Sequence, residues 1–369
     1  MRQTLQFVLI RMAWIVGAVA ALSLLGQLTD RMGASAGTGA QLRAVLFING
    51  TLGDKSFFDS AAQGMRRARE TLPVATRVVE GGNDPTRWES ALADLADSGD
   101  YDLIVAGTFT MVPYVQKLAA AYPRMRFIVF DAAADYAHCA CGNVHSILFR
   151  QNEGAYLAGY LAALLVRENA LPGLPAGSGL GVVGGMQFPV IEDYIVGFRA
   201  GARAAAPGIA VASQYANGFS DPAAGKDIAN AQMAAGAGLI FHAAGATGQG
   251  VNEAAADAHR YAIGVDLDQY AMYRDSQPER AAAIVTSVMK NIDVAIVRAL
   301  GQALQQQLPY GRAQSLGLAE GGISLAPHSR VLDGLPEALR QRIEAVRADI
   351  VNGRVQVPSA FHAAAKVAG

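Results

Sequence analysis

Short apolar runs alternate with amphipathic stretches from about residue 41 onward, which predicts alternating strands and helices. Apolar, β-branched or aromatic segments predict strands near 43–49, 76–80, 102–106, 126–130 and 144–149, and again near 179–184, 209–215, 238–241, 261–265 and 283–286. Helical periodicity is found near 57–72, 86–97, 111–122, 151–167, 189–205, 222–235, 248–258 and 288–306. This alternation is typical of α/β proteins with doubly wound parallel sheets. We therefore predict that fold class.

A segment rich in Pro and Gly, 169–179, interrupts the alternation and divides it into two similar units. We predict two lobes with a cleft between them, a preferred location for small-molecule ligands. The predicted N-terminal lobe is 42–150 plus about 274–306, and the C-terminal lobe is 151–273 plus about 307–330. A helical tail, 331–369, follows, with an amphipathic helix at 332–348.

The first forty residues have a different pattern. Residues 12–25 are nearly uncharged, Arg11 precedes them, and small residues at 34–36 are typical of a cleavage site. We predict that 1–36 is an export signal, so that the mature protein is periplasmic. An uncleaved inner-membrane anchor is the alternative, because the apolar segment lengthens when it is counted across Arg11. The apolar segment is not followed by a cysteine, so we do not expect a lipoprotein.

Composition and charge exclude several classes. The chain has 369 residues, of which 52% are hydrophobic and 17% charged, and a formal net charge of −1. This is the composition of a globular protein without the basic excess that nucleic-acid binding requires. Cys139 and Cys141 lie between His138 and His145, but this spacing is not that of a zinc site, so we expect no metal. A short-loop disulfide and two free thiols both remain open.

The segment Gly53-Asp54-Lys55-Ser56-Phe57 follows the apolar run 44–48 and precedes a helical pattern. In open parallel sheets, ligands bind beyond the carboxyl ends of the strands, where helix N-termini also lie. The aromatic ring could stack on a ligand and the acid could accept its hydrogen bonds. Alternatively, Asp54 or Ser56 is simply the N-cap of the helix.

Several further short motifs follow in order along the chain. They are Asp131 after a strand, Asn152-Glu153-Gly154-Ala155-Tyr156-Leu157-Ala158-Gly159, Gly184-Gly185-Met186 with Pro189-Val190-Ile191, Phe219 with Asp221-Pro222, Gly245 with Thr247-Gly248, Gly264-Val265-Asp266-Leu267-Asp268-Gln269 and Thr286-Ser287-Val288-Met289-Lys290. Together with the segment at 53–57, this set resembles the basic membrane protein family over about residues 42–330. That family consists of substrate-binding proteins of ABC importers, includes purine-nucleoside receptors, and has the type I periplasmic-binding fold of two lobes around a hinged cleft.

The resemblance implies roles for the parts that would hold a base. Phe57 and Phe219 match an aromatic pair, one from each lobe, that sandwiches the base, and stacking adds to the area buried. Asp131 matches a carboxylate that accepts hydrogen bonds from the edge of the base. The alternative for both rings is a place in the core.

The resemblance also implies a sugar site. Asp266 or Asp268 would accept hydrogen bonds from ribose hydroxyls, and Lys290 would donate nearby. An exposed helix position is the alternative for Lys290. Gly245 would allow the backbone to approach the ligand. One departure concerns specificity, because Phe58 stands where the family motif has an asparagine, which replaces an amide with a ring.

These features predict a substrate-binding protein rather than an enzyme, with no cofactor and no catalytic residue. The expected partners are a small-molecule nucleoside and an ABC permease, and the protein is expected to be a monomer. Motifs of P-loop proteins and zinc metalloproteases do not occur in the sequence. The alternatives are a membrane-anchored ligand sensor with the same fold and a nucleoside hydrolase that uses acids at strand ends.

Hinge closure requires contacts from both lobes. We predict crossovers between lobes near 149–151, near 268–273 and after 307. The first lobe is expected to supply Phe57, Asp131 and Lys290, and the second Phe219, Gly245 and Asp266.

Overall fold

A computed structural model describes residues 42–361. The predicted export signal or anchor at 1–36 and the last eight residues of the predicted tail lie outside the described residues. Within 42–361, none of the helices is both long and apolar enough to span a bilayer.

The first of two six-stranded sheets has the strand order β11-β5-β4-β3-β1-β2. Its strands are β1 (Leu42–Ile48), β2 (Val74–Glu80), β3 (Leu103–Gly107), β4 (Arg126–Phe130), β5 (Val144–Phe149) and β11 (Arg312–Leu316). The pairs β1 with β3, β3 with β4, β4 with β5 and β5 with β11 are parallel. The central strands read as continuous apolar runs because helices cover both faces of the sheet.

The second sheet has the order β12-β10-β9-β8-β6-β7. Its strands are β6 (Gly179–Gly184), β7 (Val211–Tyr215), β8 (Ala237–Ala243), β9 (Tyr261–Asp266), β10 (Ile284–Lys290) and β12 (Ile323–Leu325). The edge strand β12 pairs with β10 in the antiparallel direction, whereas β9 and β10 are parallel. The prediction of two doubly wound α/β lobes is confirmed.

Most of the connecting helices follow the predicted periodicity, although none was predicted between 259 and 287, where the structure has two. They are α1 (Phe57–Thr71), α2 (Trp88–Asp97), α3 (Val112–Ala121), α4 (Gln151–Arg167), α5 (Pro189–Ala205), α6 (Pro222–Ala234), α7 (Thr247–Asp257), α8 (Gln269–Tyr273), α9 (Pro278–Ala283), α10 (Ile292–Leu304), α11 (Arg330–Asp333) and α12 (Glu337–Val351). Short 3₁₀ turns precede α2 and α3. Helices α4 and α5 pack closely because a glycine, Gly201, lies against the backbone of Tyr156, where a Cβ would overlap the carbonyl.

The distribution of the C-terminal segments differs from the prediction. Strand β10, which continues through Lys290, pairs with β9 in the second sheet, so the segment from 284 to 290 does not return to the first lobe. The predicted helix at 288–306 therefore begins only at Ile292. Conversely, Arg312–Leu316 adds a strand to the first sheet rather than to the second. The sequence did not show the boundary between β10 and α10, because apolar residues continue from the strand into the helix.

The chain passes between the two sheets at three places, after β5, after β10 and between β11 and β12. The first matches the predicted crossover at 149–151, but the second lies near 291 instead of 268–273. The third lies at 317–322. Side chains tie these segments together, because Arg150 donates from Nη2 to Glu320 and from Nη1 to the carbonyl of Ser315, and the Asn291 amide donates to the carbonyl of Gly321 at 2.8 Å.

Cys139 and Cys141 form a disulfide with a Cα–Cα distance of 5.3 Å. The disulfide interpretation is therefore the one that the structure supports. Among residues 42–361, the structure brings together no group of three or more His, Cys, Asp or Glu side chains that could hold a metal ion.

The tail contains two helices where one was predicted at 332–348. Gly334 and Pro336 separate α11 from α12, since proline interrupts helical hydrogen bonding. The chain then returns toward the second lobe as residues 355–361, which we call the C-terminal strap. Within the strap, two groups donate to the Asp193 carboxylate: the Ser359 hydroxyl at 2.7 Å and the Ala360 backbone amide at 2.9 Å. The Pro358 carbonyl accepts from the side-chain amide of Asn152.

Candidate functional site

Two buried acids mark the carboxyl ends of equivalent strands. Asp131 follows β4 and Asp266 ends β9, and both have left-handed backbone angles, with φ of 61° and 64°. This region is uncommon for residues other than glycine and is often associated with functional sites. Both acids are less than a tenth exposed. Both acids thus lie at the carboxyl ends of strands, where the sequence analysis predicted the ligand-binding residues.

Lys290 forms an ion pair with Asp131 across the lobes. Its Nζ lies 2.6 Å from Asp131 Oδ1, and the side chain is 2% exposed. Because β10 belongs to the second sheet, this lysine comes from the second lobe, and its assignments to the first lobe and to an exposed helix are both wrong. Burial raises the pKa of Asp131, and the ammonium of Lys290 opposes that rise. A buried charge of this kind is tolerated only when it is paired.

Three aromatic rings surround the Lys290 ammonium. Its Nζ lies 5.7 Å from the ring centroid of Phe57, 5.6 Å from that of Phe149 and 5.3 Å from that of Tyr194. These distances fall within the range of cation–π attraction. The ammonium thus combines one carboxylate partner with an aromatic surround.

Asp266 makes a second contact between the lobes. The hydroxyl of Ser56, which comes from the first lobe, donates to its Oδ2. Burial raises the pKa of Asp266 to about 6, and the charges of Asp54 and Asp131 act in the same direction, whereas Lys290 and the Ser56 hydrogen bond lower it. At neutral pH the carboxyl is mostly ionised and can accept hydrogen bonds from a ligand.

Asp54 organises the loop before α1. Its carboxylate accepts from the amides of Ser56, Phe58 and Asp59 at 3.0, 2.8 and 3.1 Å, so it has the capping role that was one of the two predicted possibilities. Burial raises its pKa, and these amide hydrogen bonds oppose the rise. Its backbone carbonyl accepts from the Gln249 amide of the other lobe at 3.0 Å. Asp54 therefore positions the neighbouring residues and contacts the second lobe through its backbone.

Phe57 lies among aromatic neighbours on the first-lobe side of the lobe interface, where Lys290 of the second lobe approaches its ring. Its ring centroid is 5.4 Å from that of Phe130, at an interplanar angle of 33°, and 5.4 Å from that of Phe58, edge to face. Phe58 packs against Gly50, where an added Cβ would lie 2.6 Å from the ring. The ring that replaces the family's amide thus packs edge to face against Phe57.

Phe219 and Gly245 form a separate group in the second lobe. Phe219 is 38% exposed, so the alternative that its ring belongs to the core is wrong, and one face of the ring covers Gly185, where a Cβ would overlap it. Gly245 has φ of 55°, and a Cβ there would lie 3.2 Å from the Phe219 carbonyl oxygen. The Thr247 amide donates to the same oxygen at 3.1 Å. An aromatic face therefore remains accessible above a glycine-rich backbone.

Asp268 has a structural role in the described residues. It is the N-cap of α8, where its Oδ1 accepts from the Ala271 amide at 3.0 Å. Of the two acids predicted near a sugar, Asp266 is the one that is buried between the lobes, beside Ser56 and within the field of Lys290.

The sequence interpretation missed several residues of this region. Ser56 was considered only as a cap, although it lies within the first motif, and neither Phe149 nor Tyr194 was considered as a site residue. Asn49 and Thr108 directly follow β1 and β3, and the Asn49 amide donates to Thr108 Oγ1 at 3.1 Å. Applying the strand-end rule to every strand would have identified these two residues.

Aromatic and cationic side chains also meet at the edges of the two lobes. The rings of Phe109 and Phe188 have centroids 4.6 Å apart, and Lys55 Nζ lies 5.5 Å from the centroid of Tyr273. Each pair joins a residue of the first lobe to one of the second. The lobes are therefore in contact both around the buried acids and at these flanking pairs.

Comparison with known proteins agrees with this architecture. Residues 41–360 match the family model described as "Bmp: ABC transporter substrate-binding protein PnrA-like". The CD4+ T-cell-stimulating antigen of Listeria monocytogenes is 27% identical, over 85% of this chain and 87% of its own length. The ABC transporter nucleoside-binding protein BmpA of Lactococcus lactis is 26% identical, over 89% and 93%. Basic membrane protein A of Borreliella burgdorferi is 28% identical, over 85% and 87%.

Solved structures give the same result. An ABC transporter solute-binding protein from Aeropyrum pernix aligns with a TM-score of 0.74 and 26% identity, covering 86% of this chain and 94% of that one. A solute-binding protein from Conexibacter woesei has the same fold, with a TM-score of 0.69, 23% identity and coverage of 86% and 99%. Proteins of this class bind a small molecule outside the cytoplasmic membrane and deliver it to a permease. The family match spans most of the chain, and the protein belongs to the Bmp family of PnrA-like ABC transporter substrate-binding proteins.

Proposed function

We propose that the cleft binds a purine nucleoside or a related base-bearing small molecule for import, without catalysis. The observation that carries this proposal is the group at the lobe interface, in which an aromatic ring, Phe57, lies beside an ammonium and two buried carboxylates, Asp131 and Asp266. A flat base needs an aromatic face, and a sugar needs carboxylate acceptors. The name of the Lactococcus relative, a nucleoside-binding protein, supports the same ligand class.

In this proposal the base stacks between Phe57 and Phe219, one ring from each lobe. Asp131, whose Oδ1 is paired with Lys290, accepts an N–H of the base through its other oxygen. Asp266 accepts from the ribose diol, and Lys290 donates to an oxygen of the sugar. Gly245 lets the backbone approach the ligand. Asp54, Phe58 and Asp268 act indirectly, because they cap helices or support Phe57.

Hinge closure would couple binding to transport. The three crossover segments are short, and the proposed contacts come from both lobes, so a ligand that touches both favours the closed arrangement. We propose that the closed protein, exported to the periplasm and acting as a monomer, presents both lobes to the permease. Release from the membrane and anchoring by residues 1–36 are both compatible with this mechanism.

Isothermal titration calorimetry with adenosine, inosine and guanosine tests the ligand class. We expect binding of ribonucleosides, weaker binding of 2′-deoxy ligands and the weakest binding of 2′,3′-dideoxy ligands, because each lost donor leaves a buried acceptor unpaired at a cost of about 1–3 kcal/mol. Free ribose and free adenine serve as controls. No heat of binding from any nucleoside at millimolar concentration would refute the proposal.

Chromatography of the same mixtures tests the absence of catalysis. The nucleoside should be recovered intact after prolonged incubation with stoichiometric protein. Release of free base in proportion to protein concentration would instead favour a nucleoside hydrolase.

A further inference from the structure

Tyr194 lies in the first turns of α5 and is 2% exposed. Its ring packs against Phe241 of β8, with centroids 5.9 Å apart. Within residues 42–361 its hydroxyl is buried and has no hydrogen-bond partner. Phenylalanine would fill the same space without burying a hydroxyl. A buried hydroxyl without a hydrogen-bond partner is destabilising, because its lost hydrogen bonds to water are not replaced. Packing in the second lobe therefore does not explain the hydroxyl.

The surroundings of Tyr194 place it beside the candidate ligand site. Lys290 Nζ lies 5.3 Å from its ring centroid. Burial, followed by the negative charges of Asp266, Asp131 and Asp193, raises the pKa of Tyr194 well above its ordinary value. The hydroxyl thus stays protonated and can donate a hydrogen bond.

Asp193 is already committed to other donors. Its carboxylate accepts from the Gln151 amide at 2.8 Å and, in the C-terminal strap, from Ser359 Oγ at 2.7 Å and the Ala360 amide at 2.9 Å. The remaining charged neighbours of the tyrosine are those that we assign to ligand binding, namely Asp131, Asp266 and Lys290. The hydroxyl is therefore one more polar group of the same site.

We propose that the Tyr194 hydroxyl is a specificity-determining group that hydrogen-bonds a hydroxyl oxygen of the ligand's sugar, between the positions served by Asp266 and Lys290. This inference rests on the proposed function, because it assumes a ribosyl ligand. The carboxylates can only accept hydrogen bonds from the sugar, whereas the Tyr194 hydroxyl can donate one. The ligand must therefore have a sugar oxygen that accepts it. The protein would consequently distinguish ribosyl ligands from analogues that lack that oxygen.

A cycle of Tyr194→Phe against deoxy ligands tests this inference by calorimetry. The variant should bind a ribonucleoside about 2- to 12-fold more weakly than the wild type, as expected for one hydrogen bond. Among the 2′-, 3′- and 5′-deoxy analogues, one should bind the wild type and the variant equally, which identifies the oxygen concerned. The ligand-free variant should melt at the same temperature as the wild type or higher, because only an unpaired hydroxyl is removed.

Tyr122→Phe is the matched control, because it removes a hydroxyl that donates to Asp97 at 2.6 Å on the surface of the first lobe. It should leave every affinity unchanged. Equal binding of all ligands by Tyr194→Phe and the wild type would overturn the inference while leaving nucleoside binding intact. An equal loss for every analogue would also overturn it and indicate that the side chain only positions others. A wild type that binds no nucleoside would refute the proposed function, and this inference with it.

Discussion

The two lobes share one plan but give equivalent positions different partners. In both sheets the third strand of the order, β4 in one and β9 in the other, leads into an aspartate with left-handed backbone. Asp131 forms an ion pair with the Lys290 ammonium from the opposite lobe, whereas Asp266 accepts a hydrogen bond from the neutral hydroxyl of Ser56. The same scaffold position thus holds one carboxylate paired with an ammonium and another hydrogen-bonded to a neutral hydroxyl. Burial raises the pKa of both acids, and the partner from the opposite lobe opposes that rise in each case.

Removing the ion pair between Asp131 and Lys290 should have the largest effect on stability. Asp131→Asn leaves the Lys290 ammonium buried without its counter-charge, which typically costs about 3–5 kcal/mol. Chemical denaturation at pH 7 measures the loss, and small-angle scattering tests whether the lobes separate to hydrate the lysine. Adding Lys290→Met to the same chain should restore most of the stability. A loss below about 1 kcal/mol with unchanged scattering would contradict a buried, paired ammonium.

Asp266, whose partner is a neutral hydroxyl, should make the free energy of unfolding depend on pH in a distinctive way. Its pKa is about 6 in the folded protein, against about 3.9 for an unperturbed aspartate, so between these values the folded state binds more protons. The free energy of unfolding should therefore fall by about 2 kcal/mol as pH rises from 4 to 6, through Asp266 alone.

Asp266→Asn is the variant that isolates this contribution. The wild-type and variant stability curves, measured by denaturation from pH 4 to 7.5, should diverge with the variant more stable at neutral pH. Parallel curves over that range would show that this carboxyl titrates at its ordinary pH. Because a ligand that donates to the carboxylate needs it ionised, nucleoside affinity should also decline below about pH 6.

The aromatic residues offer a comparison between a supported ring and an exposed one. Phe57→Ala and Phe219→Ala should each weaken nucleoside binding by about 1–3 kcal/mol, from lost stacking and lost burial. Val351→Ala, which shortens an exposed side chain on α12, is the control. Calorimetry in which only one of the two variants weakens binding would show that the base stacks on a single lobe.

The smallest effect should come from an acid outside the buried group. Asp268→Ala removes the cap of α8 and should lower stability by about 1 kcal/mol while leaving nucleoside affinity unchanged. Thermal unfolding and calorimetry on the same sample measure both quantities. A marked loss of affinity would place Asp268 at the sugar instead.

Local patterns predicted most of the scaffold, because each central strand is a short apolar run bounded by polar residues. The strand ending at Lys290 was the main exception. Its last residues read equally well as the start of a helix, and the partner that stabilises the buried lysine lies 159 residues away in sequence. Long-range charge pairing leaves no periodic signal, so the sequence could not show that this lysine is buried.

The site was predicted at the level of strand ends and motifs rather than contacts. Asp54 and Ser56 both fit a helix cap in sequence, yet the first caps α1 and the second reaches Asp266 across the cleft. Phe58 could be identified as a departure from the family motif, but its packing on Gly50 depends on how the loop folds. The choice between equivalent polar residues is made by tertiary packing, which a local pattern does not contain.

The C-terminal strap has a consequence for where the chain can be shortened or fused. A protein ending at residue 352 would keep every strand from β1 to β12 and every helix from α1 to α12. It would nevertheless lose two of the donors to Asp193, a buried carboxylate beside Tyr194, and the carbonyl that binds Asn152 near the first crossover. The described residues after 352 are thus held against the second lobe by these hydrogen bonds although none of them is buried, and a fusion partner or affinity tag belongs beyond Phe361.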